Sequence, residues 1–370
     1  PAISISVPGS GTTVFLGTER SRQANELDVD STTAYWAGNW FLGDHTVKFG
    51  VDYKDTDMRN LFLQDYLGNY SFASIEDFDA GKYSPVATGV LGSVAGFQVN
   101  VPVAGLDGVE ANWGLQNYGL FVQDTWQATP NLSFQYGLRG DQLGVDGRPL
   151  YNPAVKQNFG YRNDATLNGK RVLQPRTSFN YTFETERQTQ LRGGLGLFQG
   201  GQPDVWLSNS FSNTGIQFVT YRAQTGEDFS PNPGDQPQPA GSAVQTISLL
   251  SPNFHSPSVW KASLGVDREL PWMGLIASAE YIYLDVRDGV LFQHLNLGAP
   301  TGVLPDGRNA YWANINAGTG SRANRNKAFG DVMLLRNTHQ GKASNLTLSL
   351  EKPFSDSWSG RVGFSRGNAS

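Results

Sequence analysis

Apolar and polar residues alternate with a period of two along most of this chain, and helical spacing is almost undetectable. In Leu132-Ser-Phe-Gln-Tyr-Gly-Leu-Arg139, the residues Leu132, Phe134, Tyr136 and Leu138 share one face, and Ser133, Gln135, Gly137 and Arg139 share the other. His45 to Lys54 repeats the pattern, with Val47, Phe49, Val51 and Tyr53 against Thr46, Lys48, Gly50 and Asp52. Thr177, Phe179, Tyr181 and Phe183 oppose Arg176, Ser178, Asn180 and Thr182 in the same way. Two later runs, 344–350 and 358–364, carry Leu346, Leu348 and Leu350, then Val362 between Trp358 and Phe364. Each run is about ten residues, the length a tilted strand needs to cross a bilayer.

The connections fall into two classes. Short ones carry turn residues, as at Gly43-Asp44, Thr129-Pro-Asn131, Glu184-Thr-Glu186, Pro271-Trp-Met-Gly274 and Phe354-Ser-Asp356. Long ones run roughly over 74–113, 141–174, 199–258 and 288–330. Structureless loops of that length are uncommon in compact soluble domains. Short turns alternating with long polar loops match a membrane β-barrel. A soluble β-sandwich or propeller also alternates, but no repeat of the length of a propeller blade is present. The second face separates the two readings. In a sandwich it is charged and wet; here it is mostly small and uncharged, as at Gly137, Gly194, Gly196, Ser133, Ser178 and Thr182. Trp36, Trp40, Trp126, Trp260, Trp272 and Trp358 cluster near strand ends, where an interfacial girdle belongs. The expected fold is all-β: an antiparallel transmembrane β-barrel segment with long extracellular loops, of about eleven to thirteen strands.

Composition supports this. Charged residues make up 16% of the 370 residues and aromatics 12%, with 43 glycines and no cysteine. Mean hydropathy is -0.37, so the missing charge is replaced by small and polar residues and not by greasy ones. No stretch is apolar enough for a transmembrane helix, and the aromatics are too many for disorder. A net charge of -5 argues against a nucleic-acid partner. Without cysteine there is no disulfide frame and no thiolate metal site. Pro1 opens without a signal-peptide pattern and Gly367-Asn-Ala-Ser370 follows a strand-like run, so the expectation is an internal piece of a longer protein.

Sequence order then brings a resemblance. Asn117-Tyr-Gly-Leu-Phe-Val-Gln-Asp-Thr-Trp126, followed by Asn131-Leu-Ser-Phe-Gln-Tyr-Gly-Leu-Arg139, resembles a strand–turn–strand signature of TonB-dependent outer-membrane receptors. His45–Tyr53 and Gln174–Tyr181 are similar to the strands that flank it there. Phe329–Thr338 and Asn345–Phe354 resemble the Oar-like subgroup. The resemblance implies a 22-stranded barrel plugged by an N-terminal domain. Residues 1–370 would then be a single β-barrel segment, about half of that barrel, without the plug domain and the C-terminal strands. It further implies a Gram-negative outer-membrane location and active uptake of a scarce nutrient. The partners it implies are outer-membrane lipid, the protein's own plug, an unidentified transported ligand, and the TonB complex, reached through a more N-terminal segment.

Candidate chemistry is sparse. Gly363-Phe-Ser-Arg-Gly367 matches a nucleophile-elbow pattern, but Ser365 continues a strand alternation and no helix follows. Asp52, Asp55 and Asp57, and Glu76, Asp77 and Asp79, lack the spacing of a calcium loop. His45, His255, His294 and His339 form no ligand pair. Gly193-Gly-Leu-Gly196 precedes no helix and is no dinucleotide fingerprint. No catalytic residue, metal or cofactor is therefore expected, and the chain reads as a non-enzyme. The inward arginines Arg139, Arg176 and Arg192 are the candidate contacts to a plug or an anionic solute, with Asp141 and Glu280 placed to pair with them inside the wall. A competing reading is a surface-binding or adhesion protein, with Tyr151, Phe159, Tyr161, Phe229 and Trp312 as loop contacts.

Overall fold

The computed structural model describes residues 1–84, 96–239, 244–311 and 323–370. Strands β1 (Ala2–Val7), β2 (Thr12–Gly17), β3 (Asn25–Leu42), β4 (His45–Phe62) and β5 (Asn69–Phe72) lead into helix α1 (Ile75–Asp79). Then come β6 (Phe97–Pro102), β7 (Ala111–Thr129), β8 (Leu132–Asp146) and helix α2 (Pro153–Phe159). Next are β9 (Arg171–Phe183), β10 (Thr189–Gln199), helix α3 (Asp204–Ser212), β11 (Phe218–Ala223) and β12 (Gln245–Leu250). The chain continues as β13 (Ser258–Glu269), β14 (Ile276–His294), β15 (Gly302–Val303) and β16 (Asn309–Ala310). It ends in β17 (Phe329–Thr338), β18 (Lys342–Ser355) and β19 (Trp358–Ala369).

A twelve-stranded sheet forms the wall, in the order β12-β17-β14-β13-β10-β9-β8-β7-β4-β3, with β18 on β14 and β19 on β18. Apart from the parallel pair β12–β17, its ladders are antiparallel. The alternation read from sequence becomes two faces. One rung carries Trp36, Val51 and Leu120; the next carries Phe49, Val122 and Leu138. These side chains point out and lie exposed, as lipid-facing residues must. The opposite rungs carry Gly50, Phe121 and Arg139, or Gly137, Arg176 and Gly196.

All six girdle tryptophans stand exposed. Trp40, Trp126, Trp272 and Trp358 gather at the short-turn end, where His45 stacks on Trp126 with a centroid separation of 5.6 Å. Tyr53 and Tyr118 pair at 5.1 Å toward the loop end. From Tyr118 to Trp126 the strand rises about 27 Å, close to the height of an outer-membrane apolar band. One acid, Asp124, points out within that band. Its Oδ2 is held by His45 Nδ1 at 2.7 Å and by the Tyr136 hydroxyl, which donates at 2.6 Å.

The structure extends the sequence expectation in three places. The longest strands reach 18 or 19 residues, because they continue past the apolar band toward the long loops. Strands β17 and β18 form one course, both antiparallel to β14 and separated only by 339–341. The long connections fold: β11-β6-β5-β1-β2 make a separate five-stranded sheet drawn from the N-terminal segment and two loops. Its core is Ile5, Tyr70, Phe72, Tyr83, Phe97 and Val99. The wall is not closed: among the described residues β3 pairs with β4 alone and β19 with β18 alone.

Candidate functional site

The inner face of the wall and the mouth above it hold the polar groups that a solute would meet. Arg139 of β8 sits between Asp52 of β4 and Asp141 of its own strand. Its Nη2 donates to Asp52 at 2.9 Å and its Nε to Asp141 at 2.8 Å. Asp141 also accepts from Gln174 Nε2 at 2.5 Å and from Asn117 Nδ2 at 3.3 Å. The bridge crosses β7 only because position 119 is glycine. A Cβ there would lie 2.6 Å from both carboxylate oxygens of Asp52 and against the Arg139 guanidinium. Arg192 of β10 makes a second cluster, bonded to Asp267 and 3.7 Å from Glu280.

Arg176 differs from both. Its guanidinium packs over the Phe198 ring at 5.1 Å, its Nε is buried without a hydrogen-bond partner, and it pairs with no carboxylate among the described residues. With Lys261, Gln123, Gln135, Ser178 and Ser263 it lines an inward basin of about 340 Å³. Gly194 and Gly196 form the basin floor, where a Cβ would press on Ser178, Arg176 and Phe198 at 2.9–3.1 Å. Among the described residues neither Arg176 nor Lys261 pairs with a carboxylate, and both face one concave surface.

Helix α3 packs on the inner face at the loop end of the wall. Leu207 and Phe211 pack on Trp113, Leu115, Met58 and Leu143, all inward-facing positions near the loop ends of their strands. Phe211 stacks on Trp113 at 5.3 Å, and Trp113 Nε1 donates to Ser208 Oγ at 2.9 Å. Beyond it, buried Asp65 fastens the five-stranded sheet. It accepts from Arg20 Nε at 2.9 Å, Asn69 Nδ2 at 2.9 Å and Gln98 Nε2 at 2.5 Å. Asp65 takes a positive φ of 55°, a conformation that aspartate tolerates better than most residues.

All three arginines singled out from sequence therefore face inward, but on separate features: two are neutralised, and Arg176 alone opens onto a basin. Asp141 and Glu280 stand at the places expected for intramural partners. Tyr151 lies under Arg162, 4.2 Å from its guanidinium, and Arg162 in turn binds Asp164 at 2.5–2.8 Å. Asp164 is held below its ordinary 3.8 by that hydrogen bond. Tyr161 and Phe159 pack on the Val155, Ile247 and Phe329 cluster, and Phe229 on Tyr70 and Phe72. Trp312 lies outside the described residues. The acidic run splits by parity: Asp52 faces in, while Asp55 and Asp57 face out. Among the described residues no group of three or more His, Asp or Glu side chains is arranged to hold a metal ion. Ser365 stays within β19, donating to Asn345 Oδ1 at 2.9 Å. Lys261 and Asp267 were not singled out from sequence, although their parity within β13 places them on the inward face with Gly265, opposite Arg192; Trp113 and α3 carried no comparable signal.

The family model described as "outer membrane beta barrel domain" matches residues 1–365. No curated protein matches the chain. Among solved structures it is similar to the ferric enterobactin receptor of Pseudomonas aeruginosa, with 14% identity and a TM-score of 0.46 over 97% of this chain. It is also similar to the outer membrane transporter YddB of Escherichia coli, with 13% identity and 0.47 over 100%. The FrpB iron transporter of Neisseria meningitidis (F5-1 variant) gives 10% identity and 0.48 over 93%. The chain spans 37% of each of those three chains. The family match covers nearly every residue of a wall that is apolar outside, polar inside and girdled with tryptophan: the chain belongs to the outer membrane β-barrel domain family, and its place is the outer membrane of Gram-negative cells.

Proposed function

We propose that this chain forms part of the wall and the external cover of a TonB-dependent transporter that takes up a scarce nutrient. The observation that carries the reading is the pairing of a charge-lined inner face with a helix packed onto that face at its loop end. Leu207 and Phe211 occupy space at the loop end of the inner face that an open pore would leave free. The motif order of residues 117–139 and 329–354 supports the same reading. The rims of β3 and β19 leave backbone groups that a bilayer cannot hydrate, so further strands would complete the wall. No bond-making step belongs to this part of the protein. The inner face would hold a plug and pass the solute, with Arg176 and Lys261 meeting its anionic groups or those of the plug.

The test compares a strain lacking the gene with one lacking TonB, across ferric chelates, glycans, peptides and cobalamin as limiting nutrients. The expected outcome is loss of growth on the same nutrient in both, and restoration of the gene-deletion strain by the full-length gene. A deletion defect that TonB loss does not reproduce overturns the reading. The five-stranded external sheet favours a second reading, surface adhesion. That reading instead predicts normal uptake with loss of attachment.

A further inference from the structure

We infer that the outer face of the wall carries a built groove for a glycerophospholipid of the periplasmic leaflet. Many outward positions of the band are bulky, as with Leu120, Val122, Leu138 and Leu264, and the outward glycines Gly38 and Gly193 are overlaid by the rings of Phe49 and Phe179. On β14 two successive outward positions are alanine instead, Ala277 and Ala279. Register places Val266, Ala279, Leu348 and Phe364 on one rung, and Arg268, Ala277, Leu350 and Val362 on the next. The alanines are thus the floor of a trough of about 550 Å³, with Val266 on one side and Leu348 and Leu350 on the other. Neighbouring strands lie about 4.8 Å apart, so the walls stand about 10 Å apart, room for an acyl chain lying along β14. Tyr281, the next outward position after Ala279, closes the far end.

Charge decides which lipid enters and from which side. Arg268 stands at the short-turn end of the trough, exposed, and pairs with no carboxylate among the described residues. Its flanking residues Asp267 and Glu269 point to the other face, toward Arg192 and Arg187. Trp272, in the adjacent turn, and Trp358 flank the same end at headgroup level. Lys352, the other cation there, is engaged: its Nζ donates to the Ser355 carbonyl at 2.8 Å beneath the Trp358 ring. Short turns face the periplasm, so the free guanidinium lies at the inner-leaflet phosphate plane. An apolar trough ending in one unpaired arginine matches a phosphodiester with its acyl chain.

The test is native mass spectrometry of the full-length protein in detergent, titrated with dioleoyl phosphatidylglycerol. Wild type is expected to retain one lipid. Arg268→Gln should weaken retention about tenfold, the scale of one charge-assisted hydrogen bond. Arg268→Lys should bind nearly as wild type, and Ala279→Phe, which fills the trough, should abolish the bound species. Leu120→Phe, elsewhere on the outer face, should change nothing, and heat-modifiable gel mobility checks that each variant folds. Equal retention by wild type and Ala279→Phe overturns the groove. Equal retention of dioleoylglycerol, which lacks the phosphate, overturns the role of Arg268. Displacement by lipopolysaccharide, at equal concentration, overturns the assignment to the periplasmic leaflet.

Discussion

Arg139 and Arg176 face the same lumen from adjacent strands, yet chemistry separates them. Arg139 is shared by two carboxylates and is part of the wall's own structure. Replacing it with alanine leaves Asp52 and Asp141 facing each other without a cation. With its side chain about a quarter exposed, the expected cost is about 1–3 kcal/mol, below that of a fully buried pair. The midpoint of heat-induced gel shift should fall in Arg139→Ala, and Asp52→Asn in the same background should recover part of the loss. No fall would mean that the bridge contributes nothing to the wall. In the loop, Asp164 is held low by the hydrogen bond from Arg162, so its stabilisation is present above the ordinary value of 3.8 and lost as pH falls below it. Amide protection across 150–165 should therefore be constant near neutrality and drop in that acid range. Asp164→Asn should lower the protection at neutral pH and flatten the profile. An unchanged acid profile in the variant would assign the transition to another group.

Among the elements, strand and helix follow different logic. Strand β9 runs through Pro175, which lacks the N–H of a central strand. The residue is tolerated because the β10 ladder ends at Arg176, where Gly196 pairs, and Pro175 needs to pair only with β8. Helix α3 has nine residues and little amphipathic spacing, so its position depends on what it packs against. Phe211→Ala removes the ring stacked on Trp113, and truncations of this type cost about 3–5 kcal/mol when the cavity cannot collapse. The helix should then open locally. Hydrogen exchange across 204–212 should rise while β7 and β8 keep their protection. Equal rises in wall and helix would make α3 a structural part of the barrel and not a separable element.

At the scale of the molecule, one sheet separates two environments and a second sheet stands above it. The uptake test belongs to this scale, since transport depends on the whole wall. Much of the wall was legible in sequence, because a strand in a bilayer must alternate: each residue meets either lipid or lumen, and a single slip would invert every side chain. That constraint is local, so it marked Val47, Phe49 and Val51 as outward and placed Arg139, Arg176 and Arg192 together on the inner face. The pairing of Asp141 with Arg139 could be anticipated from shared parity. The five-stranded sheet could not, because Ala2–Val7, Asn69–Phe72, Phe97–Pro102 and Phe218–Ala223 are short runs far apart in the chain. Their pairing is a long-range matter, with Asp65 linking Arg20, Asn69 and Gln98 across it. The same holds for the contrast between a neutralised Arg139 and a free Arg176, and for the alanine trough beside Arg268. By itself, the sequence determined which face of each strand meets lipid, since burial in a bilayer acts on every residue separately. Only the tertiary structure decided which charges are cancelled, what packs on the inner face at its loop end and where the outer surface is hollow, since each of these depends on rungs supplied by distant segments.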